Sequence, residues 1–205
     1  MPLRYGENPH QTARFEGDIN DLFQKLSGKE LSYNNLLDVD AAVSLITDVS
    51  TAGSASFAIL KHNNACGCAI RSTVKEAFDA ALAADPVSAF GGILISDTEI
   101  DLETAKSIDT IFYEVCIAPS FTEDAEALLT KKANRILLKW SMKPYKQDVV
   151  RSCLNGVLVQ QRDLVNVIAS ELKEVTILKP TEQQVSDLLF ADKLVKNTKS
   201  NAIIF

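Results

Sequence analysis

The sequence predicts an α/β protein, in which helices cover the faces of a β-sheet. Short continuous apolar runs, typical of buried strands, alternate along the 205 residues with segments whose apolar residues recur at helical spacing. Two of the helical segments begin with residue pairs that can form a capping box. Turn-forming Gly, Pro, Asn and Asp residues separate the elements.

The first predicted helix and strand precede residue 61. The helix is indicated by four apolar residues at helical spacing, Leu36, Val39, Val43 and Ile46. The strand is the apolar run at 57–60, and the NNACG sequence at 63–67 predicts a turn after it. Thr73 and Glu76 can then form a capping box for a helix that ends at 85–86.

The remaining elements continue the alternation. Strands are predicted at 92–96, 112–118 and 135–139, and helices at 101–110 and 122–132. A last helix is capped by Thr181 and Gln184. Its apolar residues are expected to face a core: Val185, Leu188, Leu189 and Val195. The segment 140–148, with one proline and several lysines, is predicted to be a flexible connection.

Composition excludes several classes of protein. With 46% hydrophobic and 23% charged residues, the chain can bury a sizeable core in one domain or two small lobes. No apolar run approaches the roughly 20 residues that span a bilayer. No cationic segment followed by an apolar one opens the chain. A cytoplasmic location without membrane contact is therefore predicted.

Acidic residues outnumber basic ones, with 27 Asp and Glu against 21 Lys and Arg and a net charge of -6. No stretch gathers basic residues with interleaved aromatics, so binding of nucleic acid, which depends on phosphate neutralisation, is disfavoured. A substrate that carries phosphate would have to be bound by a local pocket. Arg4, Lys61 and Lys199 are the candidate cations for such a pocket.

The four cysteines do not have the spacing of a structural zinc site. Cys66 and Cys68 form a C-x-C pair, while Cys116 and Cys153 are single, so the two spaced pairs of such a site are missing. Free thiols in a cytosolic protein are predicted instead, and no metal site is expected.

The most informative segment is 60–67 (LKHNNACG), which places a lysine and a histidine where the first strand ends. His62 is one of two histidines in the chain, and an imidazole is the side chain best suited to proton transfer near neutral pH. Lys61 beside it can stabilise developing negative charge or give up a proton. The alternative interpretation is a solvated Lys61 at a strand end and a hydrogen-bonded His62 in a turn.

Three other segments combine Gly, Pro, Asn and Ser with charged or aromatic residues: 3–11 (LRYGENPHQ), 85–93 (DPVSAFGGI) and 199–205 (KSNAIIF). Together with 60–67, and in this order, they resemble the transformylase half of the family of bifunctional purine biosynthesis proteins. This family joins aminoimidazole carboxamide ribonucleotide (AICAR) formyltransferase to inosine monophosphate (IMP) cyclohydrolase. Further segments that look like the family are 114–119, 156–161 and 179–183, so the resemblance covers nearly the whole chain.

The resemblance implies a cytidine-deaminase-like three-layer sandwich, with a first transformylase lobe at 1–139 and a connection with the start of a second lobe at 140–205. The family's cyclohydrolase domain would precede Leu3, and its transformylase domain would continue past the apolar end at 203–205. That end has the character of a strand, so we expect a fragment, the N-terminal part of the transformylase. True deaminases hold zinc with His-x-Glu, whereas Asn63 and Asn64 follow the histidine here, which disfavours zinc chemistry.

The resemblance also implies a reaction in de novo purine biosynthesis. A formyl group passes from the cosubstrate 10-formyltetrahydrofolate to the 5-amino group of AICAR, a poor nucleophile because its lone pair is delocalised. His62 matches the family's catalytic histidine and would transfer the amine proton. Lys61 would stabilise the oxyanion or protonate the departing folate nitrogen. Asn201 matches an asparagine that orients the substrate and the formyl group.

Five more residues match substrate-binding positions of the family: Arg4, Tyr5, Phe90, Gly91 and Glu114. A guanidinium suits phosphate, and a glycine permits close approach of a ligand to the backbone. The alternative for Arg4 and Tyr5 is an arm pinned by a salt bridge, and for Phe90 and Gly91 a tight entry into a strand. The resemblance further implies a homodimer.

Two other functions remain open from the sequence. A truncated chain can act as a nucleotide-binding or dimerisation module that has no turnover on its own. An unrelated Lys-His hydrolase would need a nucleophile near His62, and the sequence has no Gly-x-Ser-x-Gly or comparable nucleophile elbow.

Overall fold

The computed structural model describes residues 1–144 and 148–204. Its main sheet contains six strands: β1 (Phe23–Ser27), β2 (Ala55–Lys61), β3 (Asn64–Arg71), β4 (Gly92–Ser96), β5 (Tyr113–Ala118) and β6 (Ile136–Trp140). The described helices are α1 (Tyr33–Val49), α2 (Val74–Ala84), α3 (Leu102–Asp109), α4 (Glu123–Leu129) and α5 (Glu182–Lys196). A separate hairpin consists of β7 (Asp148–Cys153) and β8 (Gly156–Gln161). Short 3-10 turns lie at Ile19–Asp21 and Ala169–Glu171.

The strand order of the main sheet is β1-β6-β5-β4-β2-β3. The three adjacent strands β4, β5 and β6 run parallel, as expected where helical connections return the chain to the same edge. The other pairs, β1 with β6, β4 with β2 and β2 with β3, are antiparallel. The predicted α/β class is confirmed, and the strands predicted at 92–96, 112–118 and 135–139 agree with β4, β5 and β6 within one residue.

Side chains of successive strand residues point to opposite faces, and this alternation separates two cores. Phe57 and Ile59 of β2 belong to the core under α2, α3 and α4, whereas Ala58 and Leu60 belong to the core under α1. The sheet is therefore covered by helices on both faces, and its inner strands are buried on both sides. This explains why they have continuous apolar runs in the sequence.

Capping boxes begin three of the five α-helices that the structure describes. The predicted pairs are confirmed, because Thr73 Oγ1 accepts from the N–H of Glu76 and Thr181 Oγ1 from that of Gln184. In return, the N–H groups of Thr73 and Thr181 donate to the side chains of Glu76 and Gln184. A third box, Ser32 with Asn35, begins α1. Caps are local in sequence, so they could be predicted without knowledge of the fold.

Two strand predictions need correction at the sheet edges. The edge strand β1 was not predicted, because only Phe23 of its five residues is buried and its polar residues break the apolar pattern. The predicted turn at 63–67 is too long. Only His62 and Asn63 form the turn, and the chain re-enters the sheet at Asn64 as β3. A two-residue hairpin turn needs no further loop residues.

The predicted core face of α5 is wrong. The helix has no fully buried residue, and Leu188 is 57% exposed. Its contacts with the α1 core are instead made by Phe190 and Leu194, so apolar spacing alone misassigned the covered face.

A buried polar network holds the end of α5 to α1. Lys196 Nζ lies 3.1 Å from Asp48 Oδ2, and both side chains are nearly buried. Asn197 Nδ2 donates to the same carboxylate at 2.7 Å. This attachment directs the following residues, from 198 onwards, toward the turn between β2 and β3.

Several expectations concern segments at the margins of the described ranges. The predicted connection at 140–148 begins with the last residue of β6 and ends with the first of β7, and residues 145–147 within it lie outside the described residues. The predicted strand at 203–205 is not observed at 203–204, which have no regular structure, and Phe205 lies outside the described residues. None of the helices in the described ranges has the length and apolar character that crossing a bilayer needs.

Candidate active site

The turn between β2 and β3 presents the Lys61-His62 pair. His62 and Asn63 both have left-handed backbone conformations, with φ of 53° and 63°, as the two central residues of a type I′ hairpin turn require. Asn64 Nδ2 donates to the carbonyl of His62 at 3.0 Å, and the N–H of Asn63 donates to Asp38 Oδ1 at 2.7 Å. The His62 side chain, at the tip of this turn, is exposed.

Lys61 and Phe90, predicted from distant segments, are brought together. Lys61 Nζ donates to the carbonyl oxygen of Phe90 at 2.7 Å. The Phe90 ring is 61% exposed and lies 5.2 Å from the ring of Phe112, measured between centroids. The N–H of Gly91 donates to the carbonyl of Phe112 at 2.8 Å. Just before β4, Phe90 therefore presents its carbonyl oxygen to Lys61 and exposes its ring to solvent.

Glycines make this approach of backbones possible. Gly91 has φ of 75°, in the left-handed region that glycine adopts without strain. A Cβ on Gly92 would lie only 2.7 Å from the carbonyl oxygen of Leu60. The double glycine therefore permits both the bend and the close contact that place Phe90 beside Lys61.

Two clefts meet at His62. The first, of about 370 Å³, is lined by Glu7, Asn8, Asn34, Leu37, Asp38, His62, Asn63 and Lys199. The second, of about 480 Å³, is lined by Lys61, His62, Asn64, Ala65, Cys66, Asp85 and Ser88. His62 lines both clefts, so it lies at their shared boundary. A larger cavity of about 710 Å³ lies against α5 and residues 169–180, and its lining includes none of the predicted site residues.

Sequence reasoning missed Asp38, on α1. Burial raises the pKa of the Asp38 carboxyl above its usual range, and the Asn63 N–H and the positive charges of His62 and Lys199 partly offset this rise. The residue that Asp38 contacts is 25 positions away along the chain. No local pattern around Asp38 could have signalled this contact.

Lys199, predicted as a candidate cation, lies in the first cleft with His62. Its N–H donates to Asn64 Oδ1 at 3.4 Å, which joins the segment after α5 to the hairpin turn. Asn201 is exposed two residues later, and its Oδ1 accepts from Ser200 Oγ at 3.0 Å. Asn201 lines neither cleft, and its side-chain hydrogen bond is to Ser200 rather than to Lys61 or His62.

The chain matches a family model over its whole length. The family is described as the AICARFT/IMPCHase bienzyme, and the match covers residues 1–205. The chain belongs to this family. The resemblance drawn from the four sequence segments is thereby confirmed.

Curated relatives of the bienzyme family support the assignment. The protein of Bacteroides thetaiotaomicron is 53% identical over 204 residues, which are 98% of this chain and 39% of the relative. Those of Chloroflexus aurantiacus and Aquifex aeolicus are 45% and 44% identical over 100% and 98% of this chain. All three are named "Bifunctional purine biosynthesis protein PurH". The chain spans about 40% of the length of these curated relatives.

Two residues that the family resemblance assigns to the nucleotide lie in the N-terminal arm. The arm is an irregular hairpin, closed by bonds such as that from the N–H of Leu3 to the carbonyl of Ala13 at 2.9 Å. The Arg4 guanidinium lies 5.2 Å from the centroid of the Tyr5 ring. Neither side chain lines the clefts at His62, which the arm reaches through Glu7 and Asn8.

Glu114, a third family position, lies at the same end of the sheet as Lys61. The register between β4 and β5 shifts at this position: Gly92 pairs with Tyr113 and Ile93 with Val115, so Glu114 has no partner on β4. Glu114 Oε2 lies 2.5 Å from Lys29 Nζ, an ion pair that sequence reasoning did not anticipate. Glu114 does not line either cleft.

The cysteines are free thiols in the structure. Burial raises the pKa of Cys68 to about 12 and also raises that of Cys116, while burial and the Asp85 charge raise the pKa of Cys66. Within residues 1–144 and 148–204, no group of three or more His, Cys, Asp or Glu side chains is placed to hold a metal ion.

We expect iodoacetamide at pH 8 to alkylate Cys153 before the other thiols. The thiolate is the reactive form, and Cys153 is exposed, whereas Cys68 remains protonated and Cys116 is fully buried. Mass spectrometry of tryptic peptides at increasing times measures the order. Equal rates for Cys116 and Cys153 in the absence of denaturant would contradict the burial described here.

Proposed function

We propose that the chain carries part of the formyltransferase machinery of purine biosynthesis, which moves a formyl group from 10-formyltetrahydrofolate to the 5-amino group of AICAR. Membership of the bienzyme family supports the reaction class, since the relatives are named for purine biosynthesis. The single observation that carries the proposal is the position of His62, which lines two adjacent clefts. A transfer between two substrates needs such a shared boundary.

Formyl transfer requires a proton acceptor at the amine and a hydrogen-bond donor at the formyl oxygen. The amine of AICAR is a weak nucleophile, so its proton has to leave as the carbon–nitrogen bond forms. His62, exposed at the turn, is the group we assign to this step. The formyl carbon meanwhile develops a tetrahedral oxyanion, which needs a preorganised donor.

Lys61 is the donor that we assign to the oxyanion or to the departing folate nitrogen. An ammonium has three N–H donors. One of them goes to the Phe90 carbonyl at 2.7 Å, and this bond orients the side chain beside the second cleft. Preorientation matters because the transition state then needs no reorganisation of the donor.

The remaining predicted residues complete the proposed site. Asn201 would orient the substrate and formyl group. Lys199, two residues before it, lines the first cleft together with His62. Arg4 and Tyr5 would contact the nucleotide from the arm, and Phe90 and Gly91 would meet its carboxamide. For Glu114 to bind substrate, its ion pair with Lys29 has to open or to share the ligand.

We also propose the finer architecture that the family resemblance implies. The helices on both faces of the main sheet support a cytidine-deaminase-like three-layer lobe at 1–139. Residues 140–205 would form a connection and the start of a second lobe, with the β7–β8 hairpin outside the main sheet. A cytoplasmic homodimer belongs to the same proposal.

A second candidate is a nucleotide-binding or dimerisation module without turnover of its own. The observation that favours it is a group of large apolar residues beyond residue 148 that are exposed to solvent. Its members include Val150, Val157, Val159, Leu164, Val165 and Ile177, each more than half exposed. Such a surface is suited to assembly with another copy or with further parts of a longer protein.

Calorimetric titration with AICAR, followed by a formyl-transfer assay on the same sample, separates the two candidates. Binding with turnover supports the formyltransferase. Binding without turnover supports the module, with the nucleotide half of the site present. No binding at all would contradict the formyltransferase and the nucleotide-binding form of the module.

A further inference from the structure

The hairpin turn that presents His62 is conformationally costly. Two consecutive residues with side chains, His62 and Asn63, adopt positive φ. L-residues rarely adopt this conformation unless the surroundings hold it. A carboxylate on another element does hold it, because Asp38 Oδ1 of α1 accepts the N–H of Asn63 at 2.7 Å. A hydrogen bond to an ionised acceptor is about twice as strong as a neutral one.

The same carboxyl belongs to the wall of the His62 cleft. Charged groups from three other elements line the same cleft: His62 from the β2–β3 turn, Lys199 from the segment after α5, and Glu7 from the N-terminal arm. The two cations favour the ionised carboxyl, whereas its burial opposes ionisation. Asp38 therefore lies at the point where the turn, the cleft and the end of α5 meet.

We infer that Asp38 is the positioning residue of His62. Asp38 fixes the His62-Asn63 turn through the Asn63 N–H, and it interacts electrostatically with the imidazole across the cleft. This inference rests on the proposed proton-transfer role of His62. Asp38 is not assigned contact with substrate. Its effect passes through the turn, so it acts on the placement of the imidazole rather than on the reacting atoms.

The amide of Asn63 is a direct reporter of this contact. Its proton resonance should move with pH as Asp38 ionises, because the N–H donates to that carboxylate. Since burial raises the pKa of Asp38, the inflection should lie above the usual range for aspartate. In His62→Gln the inflection should move to still higher pH, because the imidazolium that lowers the Asp38 pKa is lost.

Two substitutions separate the hydrogen bond from the charge. Asp38→Asn keeps an acceptor oxygen and removes the charge, so we expect the Asn63 inflection to vanish while its hydrogen exchange remains slow. Asp38→Ala removes both, and exchange at Asn63 should become about tenfold faster or more. Asp40→Asn is the matched control on the same helix, since Asp40 is exposed and pairs with Arg162 at 2.7 Å.

The kinetic arm uses the formyl-transfer assay. Asp38→Ala should lower kcat about ten- to a hundredfold with little change in KM for AICAR, because a misplaced imidazole impairs the step rather than binding. Asp38→Asn should fall between Asp38→Ala and wild type, and Asp40→Asn should match wild type.

The inference is overturned if the Asn63 amide does not titrate in the wild-type protein, or if its exchange is unchanged in Asp38→Ala. A chain that shows the Asn63 titration but no formyl transfer would support the Asp38 contact and count against the proposed function alone. Should Asp38→Ala fail to fold, the titration in Asp38→Asn and His62→Gln still decides the question.

Discussion

Gly67→Ala should reduce the free energy of unfolding by about 3 kcal/mol, at the upper end of what overpacking costs. Gly67 pairs with Ile59 within the β2–β3 ladder, and helix α2 packs directly on it. A Cβ at this position would lie 1.9 Å from the carbonyl oxygen of Ala81 and 3.1 Å from the Cβ of Ala84. Because the nearest atom is backbone, relief requires a shift of the helix away from the sheet.

Urea denaturation, followed by the fluorescence of the single tryptophan, measures this loss. Trp140 is 5% exposed at the end of β6, so its emission should change on unfolding. The matched control is Gly156→Ala, where the nearest atom to a new Cβ is 3.9 Å away, and a change within about 0.5 kcal/mol is expected. An equally small change in Gly67→Ala would mean that α2 does not approach β3 as closely as described.

His62→Ala should lower kcat for formyl transfer about 10²- to 10⁴-fold, which is the usual contribution of a positioned acid or base. The free energy of unfolding should change little, because the His62 side chain is exposed and makes no contribution to either core. Binding of AICAR by calorimetry should persist. The loss would then fall on the chemical step, as expected for a group that accepts a proton in the transition state.

The chain offers a matched control in its other histidine. His10 is exposed in the N-terminal arm and lines neither cleft at His62, so His10→Ala should have wild-type turnover. If His62→Ala retained turnover, the proton would have to be accepted elsewhere, for example by the substrate's own carboxamide or by water. The proposed role of His62 would then be wrong.

Elements whose signals are local in sequence were predicted well. The caps at Thr73 and Thr181 lie within three residues of their partners, and the apolar run of β4 is buried on both faces. Elements whose environment is formed by residues far away in the sequence were predicted poorly. The edge strand β1 was missed, and the covered face of α5 was misassigned, because apolar spacing does not reveal which neighbour covers a helix.

The sequence by itself determined the α/β class, the inner strands, the membership of the bienzyme family and the Lys61-His62 pair at a strand end. Only the tertiary structure decided what surrounds that pair. The carboxylate of Asp38 reaches the turn from 25 residues away, and the N–H of Lys199 reaches Asn64 from 135 residues away. The physical reason is that backbone preferences and caps act between near neighbours, whereas a site is assembled by packing, which joins residues regardless of their separation along the chain.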